Sequence, residues 1–232
     1  LYLGQRQSAE SLLGGGFDEV ILATGIRPRT PNIPGIDHPK VLSYLDVLRD
    51  GKPVGDKVAV IGAGGIGFDV AEFLVEKKAE GSADHHRDHW LREWGIDKSL
   101  GERGGLMTPV IDAPERQIWL LQRKESKVGD GLGKTTGWIH RTVLKNRKVQ
   151  MLSGVQYLRI DDEGLHIQVG EQQQCLPVDQ VIICAGQEPL KELQAGLQAA
   201  GKPVHIIGGA DVAAELDAKR AIRQGAELAS VI

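Results

Sequence analysis

The sequence predicts an α/β fold: a parallel sheet, a small β-meander laid over it, and one domain interrupting a second of related pattern. Three observations predict this. Four short runs, Glu19–Ala23, Lys57–Ile61, Gln117–Leu121 and Gln180–Cys184, are apolar almost without alternation, as strands buried on both faces are. The glycine turn Gly62-Ala63-Gly64-Gly65-Ile66-Gly67 links the second run to a segment of helical spacing. Residues 180–186 also repeat the pattern of residues 19–25, an apolar strand that ends in small residues and a glycine.

The elements follow in order. After the first strand, Arg27–Gly35 carries Pro28, Pro31 and Pro34; these exclude regular helix and mark a connection between domains. Ser43–Arg49 reads as a short helix with Ser43 as its N-cap. Phe68–Lys77 has apolar residues at 68, 70, 71, 73, 74 and 75, the spacing of a helix packed on a sheet. Residues 78–116 are polar, His-rich and interrupted by glycine; they read as an insertion with one helix near His89–Trp94. Trp138–Asn146 is expected to be helical. Alternating segments at Val149–Leu158, Gly164–Val169 and Cys175–Leu176 make the meander. The strand Val204–Ile207 ends at Gly208-Gly209-Ala210-Asp211, and an Ala-rich helix from about Leu216 to Ser230 closes the chain. The expected domains are 1–27 with 190–232, and 28–189 between them.

Composition excludes several classes. The chain has 232 residues, 41% hydrophobic and 25% charged, with a net charge of −3. It offers no basic footprint for nucleic acid or an acidic membrane. Aromatics make up 4%, too few for a base-stacking platform. No run of eighteen apolar residues suggests a membrane helix. Cys175 and Cys184 form no CxxC and no zinc ligand spacing; two reduced thiols fit a cytoplasmic protein. The first residues, Leu1-Tyr2-Leu3-Gly4, contain neither an initiator Met nor a signal peptide, and the chain reads as part of something longer.

The glycine turn carries the chemistry. In a GxGxxG between strand and helix, Gly62 permits the tight turn, Gly64 lets a pyrophosphate approach the backbone, and Gly67 lets the helix pack closely on the strand. The first helical N–H groups and the helix dipole then face phosphate charge. The next strand ends in Gln122-Arg123-Lys124, without the acid that takes an NAD ribose hydroxyl. A guanidinium beside an ammonium suits a 2′-phosphate, so the site is read as one for NADPH.

Other motifs carry less. Gly129–Thr135 resembles a P-loop, but position 128 is Val and the spacing fails; the loop is expected beside the NADPH ribose or nicotinamide. His85, His86 and His89 lack a fourth ligand and read as a solvated helix face. The pairs Asp161/Asp162 and Asp211/Asp217 carry no hydrolase signature. Asp211, ending a strand after Gly209 and Ala210, suits either a ligand hydroxyl or the N-cap of the last helix.

FDEVILATGIRP (Phe17–Pro28), Val58–Gly67, VDQVIICAGQEP (Val178–Pro189) and Ile207–Val212 resemble the FAD- and NAD(P)-dependent pyridine nucleotide oxidoreductases. Three longer strings, IDHPKVLSYLDVLRDGKPVGDKVAVIGAGGIGFDVA, GLGKTTGWIHR and IGGADVAAELDAKRAIRQG, are similar to the C-terminal portion of the bacterial NADPH-dependent 2,4-dienoyl-CoA reductases. The resemblance covers nearly the whole chain except the insertion 78–116. It implies a Rossmann-like NAD(P)-binding domain inserted in a partial FAD-binding domain. It also implies, as a partner, an N-terminal flavin barrel of the same protein, outside this chain, with FMN and a 4Fe-4S cluster.

By position, Gly62, Ala63, Gly64, Gly65, Ile66 and Gly67 would hold the NADPH pyrophosphate, and Gln122, Arg123 and Lys124 its 2′-phosphate end. Thr24, Gly25, Gly209, Ala210 and Asp211 would serve FAD, with Asp211 at the ribityl chain. Ala185 and Gly186, at the repeated strand end, complete the cofactor-binding set. Asp69 stands where related reductases carry a glutamate. No catalytic residue or metal ligand is assigned. An amine dehydrogenase, an enoate reductase or a non-catalytic NAD(P)-binding module are the competing readings. The fragment alone is expected to bind NADPH, to bind FAD poorly, and not to reduce a dienoyl-CoA.

Overall fold

The structure, a computed structural model, describes residues 1–76, 82–214 and 218–232. It divides into two compact units, Leu1–Arg29 with Gly186–Ile232, and Thr30–Ala185. In the outer unit α1 (Ala9–Gly14) comes first, followed by β1 (Val20–Leu22) and β2 (Ile26–Pro28). Ser8 and Ser11 start α1 with a reciprocal capping box, which satisfies two orphan N–H groups at once.

The inner unit starts with β3 (Val41–Ser43) and α2 (Tyr44–Leu48). Ser43 caps α2 as expected, with Asp46 completing the box. Then come β4 (Lys57–Ile61), α3 (Gly65–Val75), α4 (Ala83–Glu93), β5 (Gln117–Leu121), α5 (Gly137–Asn146) and β6 (Gln150–Leu152). The expected end of α3 at Lys77 and the start of the insertion at Lys78 lie outside the described residues. The helix of the insertion is longer than expected, because Ser82 caps it well ahead of His89. β7 (Val155–Asp161), β8 (Gly164–Val169), β9 (Gln172–Leu176) and β10 (Gln180–Ile183) finish the unit.

Five strands form one parallel sheet in the order β3-β10-β4-β5-β6. Its side chains alternate between two cores. Val58, Val60, Ile118, Leu120 and Ile182 meet the helix side with Phe68, Val70, Leu74 and Leu144. Ala59, Ile61, Trp119, Leu121, Val181 and Ile183 meet the meander side with Leu165, Ile167 and Leu176. Both faces are covered, so the strands read as continuous apolar runs, and each large aliphatic side chain so buried contributes roughly 1.5–3 kcal/mol.

The expected meander strand Val149–Leu158 is in fact two strands. Gly154, at φ +67°, takes a conformation that glycine adopts without penalty and breaks the run. β6 joins the parallel sheet beside β5, while β7 leads the antiparallel set β7-β8-β9.

Returning to the outer unit, β11 (Gln187–Pro189), α6 (Gln194–Ala199), β12 (Val204–Ile206) and α7 (Ala218–Ala229) complete the chain. The expected helix start at Leu216, and Asp217, lie outside the described residues. β1 pairs in parallel with β12, and β2 pairs antiparallel with β11. That second pairing keeps residues 26–28 and 187–189 together, so the units change at 29/30 and 185/186 rather than at 27/28 and 189/190. Val20 and Leu22 pack with Leu197, Leu12 and Leu13. Ile21 is 42% exposed, so β1 is covered on one face and not on both as its sequence suggested. Among the described residues, no helix is long and apolar enough to cross a membrane.

Candidate dinucleotide-binding site

β4, β5 and β10 are parallel and in register, with Ile61 beside both Leu121 and Ile183. The glycine turn, Gln122-Arg123-Lys124 and Cys184-Ala185 therefore leave the sheet at one edge. The chain moves from β4 to β5 and β6 on one side, while β10 and β3 lie on the other. Such a switch in strand order opens a crevice at the carboxyl ends of the strands, where ligands of α/β sheets bind.

The glycines of the turn divide by role. Gly62 has φ +111°, and a Cβ there would stand 2.4 Å from the carbonyl oxygen of Cys184. A Cβ on Gly67 would stand 1.7 Å from the carbonyl oxygen of Gly62. Both positions are closed by backbone. At Gly64 and Gly65 a Cβ would meet nothing within 4 Å, and both residues are exposed. Gly64 is the N-cap of α3 and offers no side-chain cap, and no acid stands in the first turn. The first N–H groups of α3 thus have no side-chain cap, and they carry the positive end of the helix dipole. Ala63 and Ile66 pack against the helix-side core instead.

The end of β5 is shaped by its own loop. Gln122 donates its side-chain N–H to the carbonyls of Lys124 (3.1 Å) and Ser126 (2.9 Å). The backbone N–H of Gly154 donates to the Lys124 carbonyl at 3.0 Å. Gln122 therefore holds the loop, while Arg123 and Lys124 are exposed. Among the described residues neither forms an ion pair. Tyr157, which no sequence motif marked, lies close to Arg123: burial pushes its phenol far above the usual range, and the Arg123 charge opposes that shift.

The loop 129–137 lies against the first turn of α3. Gly129, at φ +75°, approaches the Phe68 ring so closely that a Cβ would stand 2.6 Å from it. Arg141 donates to the Gly129 carbonyl at 2.8 Å. Lys134, Thr135 and Thr136 are left exposed. Glu72 of α3 and His140 of α5 lie 2.7 Å apart; burial raises the Glu72 carboxyl above its ordinary range, against the pull of His140. Ala185 is half-buried, and burial pushes the Cys184 thiol before it up to about 12.

In the outer unit a second constellation gathers. The Thr24 hydroxyl donates to the Leu190 carbonyl, and the Leu190 N–H donates to the Gly25 carbonyl at 3.0 Å. Gly25 and Gly186 end the two related strands at φ +79° and +95°. A Cβ on Gly209 would come within 2.9 Å of Ile26, and Ala210 is buried. Gln224 of α7 bridges the turn: it accepts from the Gly208 N–H and donates to Asp211 Oδ2, each at 2.8 Å. Asp211 and Gln224 stand thirteen residues apart, a separation with no sequence signature. The histidines of α4 behave as a solvated face, with His85 and His86 exposed and His89 bonded to Asp112 at 3.0 Å.

A parallel sheet with a glycine turn at its switch point, encoded between the two segments of a second unit, defines a Rossmann-like dinucleotide-binding domain. The chain belongs to the pyridine nucleotide-disulphide oxidoreductase family, whose sequence profile matches residues 7–220. It is 29% identical over 198 residues to a metal reductase of Desulforamulus reducens, covering 84% of this chain and 28% of that protein. It is 47% identical over 73 residues to a cinnamate reductase of Clostridium sporogenes, covering 32% of this chain and 11% of that protein. Among solved structures it is similar to a 2-naphthoyl-CoA reductase complexed with 2-naphthoyl-CoA. That likeness has a TM-score of 0.74 at 21% identity, over 100% of this chain and 29% of the other. The chain thus spans under a third of the length of these relatives.

Proposed function

We propose that this chain is the NADPH-binding, electron-receiving portion of a flavin-dependent reductase that acts on 2,4-dienoyl-CoA esters, in the oxidation of unsaturated fatty acids in the cytoplasm. One observation carries the NADPH part of this reading. The open space over Gly64 and Gly65 and the exposed Arg123 and Lys124 share one sheet edge. The turn accepts a pyrophosphate there, and the two cations accept a 2′-phosphate with charge-assisted bonds. When bound, NADPH supplies a hydride for FAD. Thr24, Gly25, Gly209, Ala210 and Asp211 are the residues of this chain that face FAD, with the Asp211 carboxylate accepting a ribityl hydroxyl. FMN and the 4Fe-4S cluster belong to an N-terminal flavin barrel of the same protein.

The substrate class rests on the specific strings Ile36–Ala71, Gly131–Arg141 and Ile207–Gly225. The names of two relatives agree in kind, since cinnamate and 2-naphthoyl-CoA both carry unsaturation conjugated to a carboxyl or thioester. The experiment is NADPH oxidation by the full-length protein with 2,4-dienoyl-CoA, cinnamate or an amine as acceptor. Turnover with the dienoyl-CoA alone supports the reading, and turnover with only cinnamate or the amine overturns its substrate. The isolated 232-residue chain is expected to oxidise no NADPH with any of them.

A further inference from the structure

The open face of the meander brings together side chains that the dinucleotide site does not use. β8 and β9 pair so that His166 lies directly opposite Cys175. Their neighbours Leu165, Ile167 and Leu176 face the sheet core, so strand alternation turns His166 and Cys175 together to the other face. The tight turn between β7 and β8, where Asp161 pairs with Gly164, adds Glu163. One ring nitrogen of His166, Sγ of Cys175 and a carboxylate oxygen of Glu163 all lie within 4.8 Å of one another.

The scaffold beneath is fixed. Gly164 has φ +142°, and its Cα sits so close to β9 that a Cβ would stand 2.0 Å from the Leu176 carbonyl oxygen. Asp161 lies 2.9 Å from Nε2 of His166 and is held by Arg159 at 2.8 Å. Glu163 lies 3.8 Å from that same Nε2, so a cation seated there takes the place that Asp161 holds on the ring.

We propose that this face is a metal site for a borderline-soft divalent cation of the zinc kind, ligated by Cys175, His166 and Glu163. The donor set chooses the metal. A thiolate and an imidazole disfavour magnesium and calcium, which take oxygen ligands, and favour zinc. Metal–ligand distances of about 2.0–2.3 Å place tetrahedral donors roughly 3.3–3.6 Å apart. Rotation of the exposed Glu163 side chain, with a shift of about 1 Å at the cluster, therefore closes the set around the largely buried His166. Three protein ligands leave a fourth position for water or another small ligand. Binding releases the thiol proton to solvent and involves no electron transfer. The site stands apart from the NADPH reading and does not depend on it.

The test is titration of the metal-free chain with zinc against a chromophoric competitor, and with cobalt(II) as a spectroscopic substitute. The expected result is one equivalent bound with a thiolate-to-cobalt charge-transfer band. Cys175→Ser removes the band, and His166→Gln weakens zinc binding more than about 100-fold. The triple variant His85→Gln, His86→Gln, His89→Gln binds as the parent does. Absence of the band, its survival in Cys175→Ser, or loss of binding in the triple variant overturns the proposal. Far-ultraviolet circular dichroism of each variant checks that the substitutions leave the fold intact.

Discussion

Gly67 and Gly62 touch through the turn they share: a methyl group on Gly67 would stand 1.7 Å from the Gly62 carbonyl oxygen. Gly64, between them, has nothing within 4 Å of the corresponding position. The same amino acid therefore serves packing at one site and ligand access at the other. Gly67→Ala is expected to destabilise the inner unit by roughly 3 kcal/mol or more, as other severe core clashes do. Gly64→Ala should leave the denaturation midpoint within about 0.5 kcal/mol of the parent and weaken NADPH binding at least about tenfold. Urea melts and NADPH titrations of both variants check the contrast.

Asp46 links pH to stability. Hydrogen bonds from Lys52 and Ser43 lower its carboxyl to about 2. A carboxyl depressed on folding adds stability above its unfolded value near 4, and that contribution is lost as pH falls from about 4 through 2. Asp46→Asn is expected to cost roughly 1–2 kcal/mol at pH 7. The difference from the parent should shrink toward zero below about pH 2. Melts across that range measure it.

Arg147 ties the 82–112 segment to α5. Its guanidinium lies 2.7 Å from Glu93 and donates to the Asp112 carbonyl at 3.1 Å. Both side chains are largely buried, so removing the cation strands a carboxylate. Arg147→Leu should destabilise the inner unit by about 3–5 kcal/mol and lower hydrogen-exchange protection across 83–112. The paired substitution Arg147→Leu with Glu93→Leu should recover much of that loss, because no unpaired charge remains.

The parallel strands, the turn and its helix were legible because burial on both faces leaves an unbroken apolar run, as at Val58–Ile61. Local chemistry also announced α2, through Ser43. β1 misled because its run, Val20-Ile21-Leu22, has the same composition whether one face or two is covered. Gly154 was read through as part of one strand, since a single glycine in an alternating segment leaves the hydrophobic period intact. Of the candidate site, the glycines and the basic pair could be read from spacing. Tyr157, the Gln224–Asp211 bridge and the His166–Cys175 pair could not, because each depends on elements brought together only by strand pairing or helix packing.

Arg123 and Lys124 carry the central claim, and titration of tryptophan fluorescence with NADPH and NADH tests it most directly. Charge-assisted hydrogen bonds of about 1.5–3 kcal/mol predict that the chain binds NADPH at least about tenfold more tightly than NADH. Arg123→Ala with Lys124→Ala should erase that preference while leaving NADH affinity within about twofold. Equal affinities for the two cofactors in the parent chain would contradict the assignment.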